Sequence, residues 1–137
     1  MKRYLTHVLI VTLCLALLSA CSPATPVPVA ADPATVVQDF WAKYNAHDLD
    51  GAMALTSPDV KCRGRCYFGG QDATRGVLQG YIDAGIEVIV SEIQVEGERV
   101  AYKVEIHRHG LLIAQGFADE AMVVQNGLIV LWENNRI

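Results

Sequence analysis

The chain has 137 residues, of which 52% are hydrophobic and 19% charged, with a formal net charge of −4. That length supports one core of modest size and not two domains once terminal segments are set aside. An acidic chain with no cluster of Lys and Arg lacks the cations that hold nucleic acid or anionic headgroups, so both are excluded as electrostatic partners.

Lys2 and Arg3 give a basic start, and Val8 to Leu18 is almost wholly apolar yet too short to cross a bilayer as a permanent helix. This is the pattern of a cleaved export signal. The residues that follow, Leu18-Ser19-Ala20-Cys21, resemble the lipobox of bacterial lipoproteins. The resemblance implies cleavage before Cys21, removal of residues 1–20, diacylglycerol on the Cys21 thiol and a further acyl chain on the new N-terminus. A plain signal peptide is the other reading. Several acyl chains, at about 0.8 kcal/mol per buried CH₂, hold a protein stably to a membrane without spanning it. Loss of Lys2 and Arg3 moves the formal charge to −6. Ser22 does not resemble an inner-membrane retention signal, so the expected location is the envelope, and the outer membrane where the cell has one.

Residues 21–32 read as a lipidated tether. Over Ser22 to Thr35, Pro23, Pro26, Pro28 and Pro33 fall among Ala, Val, Ser and Thr, a composition that forms neither a ladder nor a core, with a bound strand or a proline-motif ligand as the other reading. Extended from Ser22 to Thr35, such a segment reaches on the order of 40 Å. The folded domain is expected over 33–137.

Asp32 and Pro33 make a helix start, with a side-chain cap followed by a residue that has no N–H to satisfy. Val36, Val37, Phe40, Trp41 and Tyr44 then recur at helical spacing and define one apolar face. Asn45-Ala46-His47-Asp48 breaks that helix, and Asp48 caps a second, Leu49 to Leu55. Asp72 reads as the cap of a third helix, Ala73 to Ala84, which Gly85 closes in a left-handed conformation. From Glu87 the period changes to two, with Val100, Tyr102, Val104 and Ile106 alternating with polar neighbours. Turns at Glu96-Gly97-Glu98, His109-Gly110 and Asn126-Gly127 divide four strands, 87–95, 99–108, 111–124 and 128–135. Helices followed by a meander predict an α+β fold.

The run Asn45-Ala46-His47-Asp48-Leu49-Asp50-Gly51-Ala52-Met53-Ala54-Leu55, with Pro58-Asp59-Val60 and Asn126-Gly127-Leu128-Ile129, resembles the nuclear transport factor 2-like superfamily. That group includes ketosteroid isomerase, SnoaL-type polyketide cyclases and binding domains without activity. The resemblance implies a cone: a curved antiparallel sheet of about four long strands plus a short hairpin, with three N-terminal helices on its concave face. It implies nothing as definite about chemistry, because one scaffold hosts many reactions. Of the isomerase branch's residues, the first-helix tyrosine falls on Phe40, which has no hydroxyl. The general-base aspartate falls near Arg63-Gly64, where no carboxylate stands. The protonated aspartate falls on Asp119. Enolisation needs a base within reach of the proton it removes. The carboxylates and arginine of the epoxide hydrolase branch cannot be assembled either.

A pocket is expected from Phe40, Tyr44, Tyr102, Trp132 and Asp119, the last acting as a neutral donor if the aromatic mouth desolvates it. The competing reading makes Asp119 a solvated strand-edge residue beside Glu120 and the aromatics plain core. Glu105, His107 and His109 share a strand face at a spacing that can chelate zinc; solvent or a partner subunit is the alternative, and no metal or cofactor is expected. His47 is expected to be exposed. The spacing of Cys62 and Cys66 suits a hairpin with a three-residue loop, and export favours a disulfide over a redox pair or two free thiols. Cys14 is lost with the signal. Two functions follow. One is a membrane-anchored domain that binds a small apolar or amphipathic ligand or a protein without catalysis, with a homodimer through the outer sheet face possible in either case. The other is a cyclase, isomerase or dehydratase with a rearranged site at Asp119, Tyr44 or Tyr102.

Overall fold

The computed structural model describes residues 31–134 apart from 65 and 67, with the side chains of 117–119 left aside. The signal segment 1–20, Cys21 and the tether up to residue 30 lie outside the described residues.

Helix α1 spans Pro33–Asn45, where Asp32 Oδ2 accepts the Thr35 N–H at 3.2 Å and so fills one orphan donor of the first turn. Val36, Val37, Phe40, Trp41 and Tyr44 are buried along one face, as the spacing requires. His47 turns left-handed at φ 61° and ends the helical run. Helix α2, Leu49–Met53, is capped by Asp48, whose Oδ1 accepts the Gly51 N–H at 2.9 Å. It stops short of Leu55. The Met53 carbonyl is taken by Thr56 Oγ1 at 2.8 Å and Gln71 Nε2 at 3.1 Å, and the chain has already become strand at Thr56.

Strand β1 is Thr56–Gly64 and helix α3 is Gln71–Asp83. The cap of α3 is Gly70 at φ 84°, with no side-chain hydrogen bond, so Asp72 belongs to the first turn and is not the cap. Its carboxylate there still favours the positive end of the helix dipole. Gly85, at φ 67°, holds the left-handed position after the helix.

Strands β2 (Ile86–Glu96), β3 (Arg99–Arg108), β4 (Leu111–Gln125) and β5 (Leu128–Asn134) form an antiparallel meander. His109-Gly110 and Asn126-Gly127 have positive φ at both central residues, the condition for the hairpin turn whose twist matches the strands. The sheet order is β1-β5-β4-β3-β2, and β1 lies parallel to β5. The α+β class and the curved sheet with helices packed on it are as expected. The segment read as a short hairpin does more: it supplies a fifth strand, which makes the sheet mixed. The hairpin survives as a tight return, with Cys62 N–H donating to the Phe68 carbonyl at 2.9 Å and Gly70 N–H to the Val60 carbonyl at 2.7 Å.

Strand β2 lies at an edge, and α1 covers its start. Asn45 donates to the Val88 carbonyl at 2.7 Å and accepts from the Val88 N–H at 3.0 Å, while the Tyr44 hydroxyl donates to the Ile86 carbonyl at 2.7 Å. These bonds fill backbone positions where another strand would otherwise pair. They also fix α1 over the helix-facing side of the sheet, where the core and the cavity lie.

Candidate functional site

Register places two rungs of side chains across the helix-facing side of the sheet. One runs Cys62, Trp132, Met122, Val100 and the next Gly64, Asn134, Glu120, Tyr102. Residues directly opposite in a ladder share a face, so Glu120 sits between Asn134 and Tyr102 and one rung from Trp132.

Above these rungs lies a cavity of about 350 Å³. Trp41, Val77 and Tyr81 wall it from the helices. Ile86, Val88, Val104, Ile106, Ile113, Glu120, Trp132 and Asn134 wall it from the sheet, and Cys62, Cys66 and Phe68 close one side. Tyr81 and Ile113, 45% and 55% exposed, mark its mouth. Glu120 is 3% exposed, and Asn134 Nδ2 donates to its Oε1 at 3.4 Å. Asn134 Oδ1 and the indole nitrogens of Trp41 and Trp132 are buried without a hydrogen-bond partner among the described residues. Trp41 and Trp132 meet at 5.2 Å between ring centroids and 79° between planes, and Phe68 meets Trp132 at 6.2 Å and 81°. Trp132 therefore stands nearly at right angles to both Trp41 and Phe68.

Trp132 lines the cavity as anticipated. Phe40, Tyr44 and Tyr102 are buried in the packing behind it, at 1%, 0% and 0% exposure, and do not line it. Phe40 supports Trp132 from behind, ring centroids 6.5 Å apart. Tyr44 spends its hydroxyl on the β2 edge. Burial, with Tyr81 and Glu87 nearby, pushes that hydroxyl up to about 12, so it stays protonated and structural. Asp119 lies where β4 bulges: Tyr102 faces Glu120 while Lys103 faces Phe117. The Asp119 side chain lies outside the described residues. The carboxylate in the described wall is that of Glu120.

Alternation alone carried a signal for Glu120, since Val124, Met122 and Glu120 fall in one phase and the first two are core. Trp41 belonged to the apolar face of α1, but nothing in the sequence distinguished it from Phe40 as a cavity residue. Phe68 and Asn134 carried no signal, because their place depends on the β1–β5 pairing. Cys62 and Cys66 form a disulfide, Cα atoms 5.4 Å apart. It stands in the cavity wall beside Arg63 and Gly64, the position to which the resemblance assigned a general base. His107 Nε2 lies 3.4 Å from Glu105 Oε2, and among the described residues no three His, Cys, Asp or Glu are grouped to hold a metal. His47 is exposed.

A family model of the SnoaL-like domain matches residues 37–133, which takes in all of this architecture except the first turn of α1 and Asn134 at the end of β5. The chain belongs to the SnoaL-like family. No curated protein matches the sequence. Among solved structures, this SnoaL-like chain is similar to a nuclear transport factor 2-like protein of unknown function from Cytophaga hutchinsonii. The TM-score is 0.64 at 15% identity, covering 78% of this chain and 91% of that one. It is also similar to Rv0760c of Mycobacterium tuberculosis in complex with estradiol-17β-hemisuccinate (TM-score 0.64, 20% identity, 77% and 93% covered). A third is an epoxide hydrolase of the same organism, described as LEH-like (TM-score 0.63, 21% identity, 77% and 83% covered). At these identities the likeness is one of fold.

Proposed function

We propose that this SnoaL-like domain is a lipid-anchored envelope protein that binds a small apolar or amphipathic molecule in its cavity without turning it over. The observation that carries the reading is the cavity wall: apolar and aromatic on nearly every side, with one buried carboxylate and no His, Lys or Arg among the described lining residues. A cavity of this size takes a ligand of modest length, and a few polar groups in an apolar wall fix its orientation. Proton abstraction from carbon needs a base in reach of the substrate and a separate donor for the developing oxyanion. The family resemblance would put that base near Arg63-Gly64, where no carboxylate stands and which the Cys62–Cys66 disulfide brackets. The solved relative that holds an estradiol ester supports a small hydrophobic ligand as the class to test.

The chain has two tryptophans, and both line the cavity. Titration with a neutral, environment-sensitive apolar probe such as N-phenyl-1-naphthylamine, or with a steroid, is expected to change indole emission saturably at one molecule per domain. Absence of any saturable change would remove the binding reading. The anchor is tested separately: metabolic labelling with palmitate and detergent-phase partition are expected for the native chain and lost on Cys21→Ser. Homodimerisation through the outer sheet face is tested by sedimentation of the same material.

A cyclase, isomerase or dehydratase is the second reading. The rung that sets Glu120 beside Asn134 and Tyr102 favours it, because a buried carboxylate with polar neighbours is able to act as an acid or base. Turnover of a ketosteroid or polyketide substrate, abolished by Glu120→Gln, would establish it over the first.

A further inference from the structure

The apolar wall of the cavity does not stop at its mouth. Val77 and Tyr81 stand one turn apart on α3 and both line the cavity, so one face of that helix leads outward from half-buried Val77 to exposed Tyr81. On the sheet, Val104 and Ile106 share the cavity-facing side of β3, and Ile113 joins them from β4. A bulge puts Ile113 there: Ile106 faces Ala114 and His107 faces Leu112, which leaves Ile113 as the extra residue, turned to the cavity. Arg108 follows Ile106 on the same side of β3, and Leu111 lies directly opposite Arg108, so Leu111 extends the same face outward. It is 72% exposed. Leu112, beside His107, takes the other side of the sheet. The β3–β4 turn is tied to the end of α3, since His109 N–H donates to the Gly85 carbonyl at 3.0 Å and the His109 ring fills the space a Gly85 Cβ would need. That tie holds the helix side and the sheet side of the mouth together. A contiguous set of exposed apolar side chains marks a surface that something covers. Here the set passes without a break into the cavity wall through Tyr81 and Ile113, and the chain enters the domain at the far end of β4, where Ala31 meets the Asn126-Gly127 turn.

We infer that this rim is the outer half of the ligand site and that the ligand is a single-chain amphiphile longer than the cavity. Its hydrocarbon fills the cavity, runs out between Tyr81 and Ile113 and covers Leu111, and its polar end stands in water beside Arg108. The inference rests on the binding reading above and adds the shape and length of the ligand to it. A compact ring system fills the cavity and leaves the rim bare, whereas a chain buries both with one continuous apolar surface.

The test uses octyl, decyl and dodecyl maltoside, neutral probes with one disaccharide head that stays in water, each below its micellar concentration. They are titrated by tryptophan emission into the mature chain carrying Cys21→Ser, with N-phenyl-1-naphthylamine alongside as a compact probe. Four added CH₂ groups would be worth about 200-fold in affinity if fully buried, and a rim that covers one side of the chain is expected to give dodecyl over octyl at least about tenfold. Leu111→Ser is expected to cut that ratio to about threefold or less. Leu112→Ser, an equally exposed change on the other side of the sheet, is expected to leave it as it is. Saturable binding of octyl and dodecyl maltoside with equal affinity overturns the chain reading and leaves the cavity reading intact. So does binding of N-phenyl-1-naphthylamine with no maltoside bound, and binding of none of these probes overturns both. A dodecyl-to-octyl ratio that Leu111→Ser leaves unchanged, or that Leu112→Ser lowers equally, overturns the assignment to the rim. Loss of partition into phosphatidylcholine vesicles, or of a sedimenting dimer, in those same variants would then give the rim to a bilayer or to a second copy.

Discussion

Asn45 makes two hydrogen bonds to the backbone of Val88, and they are the clearest case of a single side chain completing the sheet. Asn45→Ala is expected to cost about 1–2 kcal/mol, because the freed Val88 groups regain water only in part. Faster hydrogen exchange at the Val88 amide, with little change in β4, would locate the loss. The neighbouring Tyr44 gives the molecule an alkaline limit. Its folded value of about 12, set first by burial, lies above the ordinary tyrosine value of 10.0. Below pH 10 both states hold the proton and the contribution is fully present; between pH 10 and 12 only the folded state holds it. Stability therefore falls through that window, by on the order of 3 kcal/mol. Urea denaturation across the window is expected to show the fall, and Tyr44→Phe to flatten it. Neither role was legible beforehand. The sequence placed Tyr44 on the buried face of α1, but the depth to which its hydroxyl reaches depends on where the β2 edge passes, and that is a tertiary fact. Glu120 was legible from alternation, in phase with Met122 and Val124, whereas Asp119 falls in the bulge between the Tyr102–Glu120 and Lys103–Phe117 pairs.

At the scale of elements, the sequence specified what is local and left out what is long-range. Each turn with Gly after Asn, His or Glu falls where the period changes, since positive φ is a property of a few residues. The parallel pairing of β1 with β5 joins segments more than sixty residues apart, and Pro58 and the two cysteines blur the alternation that would have revealed a strand. That pairing explains why the Cys62–Cys66 bond matters to the site. It fixes the return that brings Phe68 against Trp132. Cys62→Ser with Cys66→Ser is expected to cost about 2 kcal/mol, the chain-entropy value for so short a loop. Indole emission is expected to shift toward that of a more solvated ring, because the cavity loses a fixed wall. A stability loss with unchanged emission would separate the disulfide from the cavity. Helix α2 has a comparable single-point dependence. A Cβ at Gly51 would collide with the Asp48 carboxylate, so Gly51→Ala displaces the cap it is meant to lie under. A loss of about 1 kcal/mol is expected in chemical denaturation, despite the better helix propensity of alanine.

The whole molecule has two ends, and they bear on how a ligand arrives. Ala31 lies against the Asn126-Gly127 turn, within 3.7 Å of where a Gly127 Cβ would be, so the chain joins the domain at that end of β4. The exposed run Leu111, Leu112 and Ile113 begins the opposite end of the same strand, and Ile113 with Tyr81 forms the cavity mouth. Along β4 the two ends are separated by a contour of about 45 Å. The segment from Ser22 to Ala31 reaches ~31 Å when extended. If Cys21 is the anchored residue, an upright domain therefore holds its mouth away from the bilayer, and ligand enters from the aqueous side. The acidic charge of the domain works in the same direction, since it discourages the sheet from lying on anionic headgroups. On that premise the anchor bears on location and not on affinity. Acylated protein in detergent and the Cys21→Ser chain in buffer are expected to bind the same steroid with the same Kd within about twofold, a difference of about 0.4 kcal/mol. They are also expected to gain the same thermal stabilisation, about 2.7 kcal/mol at a hundred times Kd. A marked gain in affinity on acylation, present in liposomes and absent in detergent, would mean instead that the mouth reaches the membrane and draws its ligand from it.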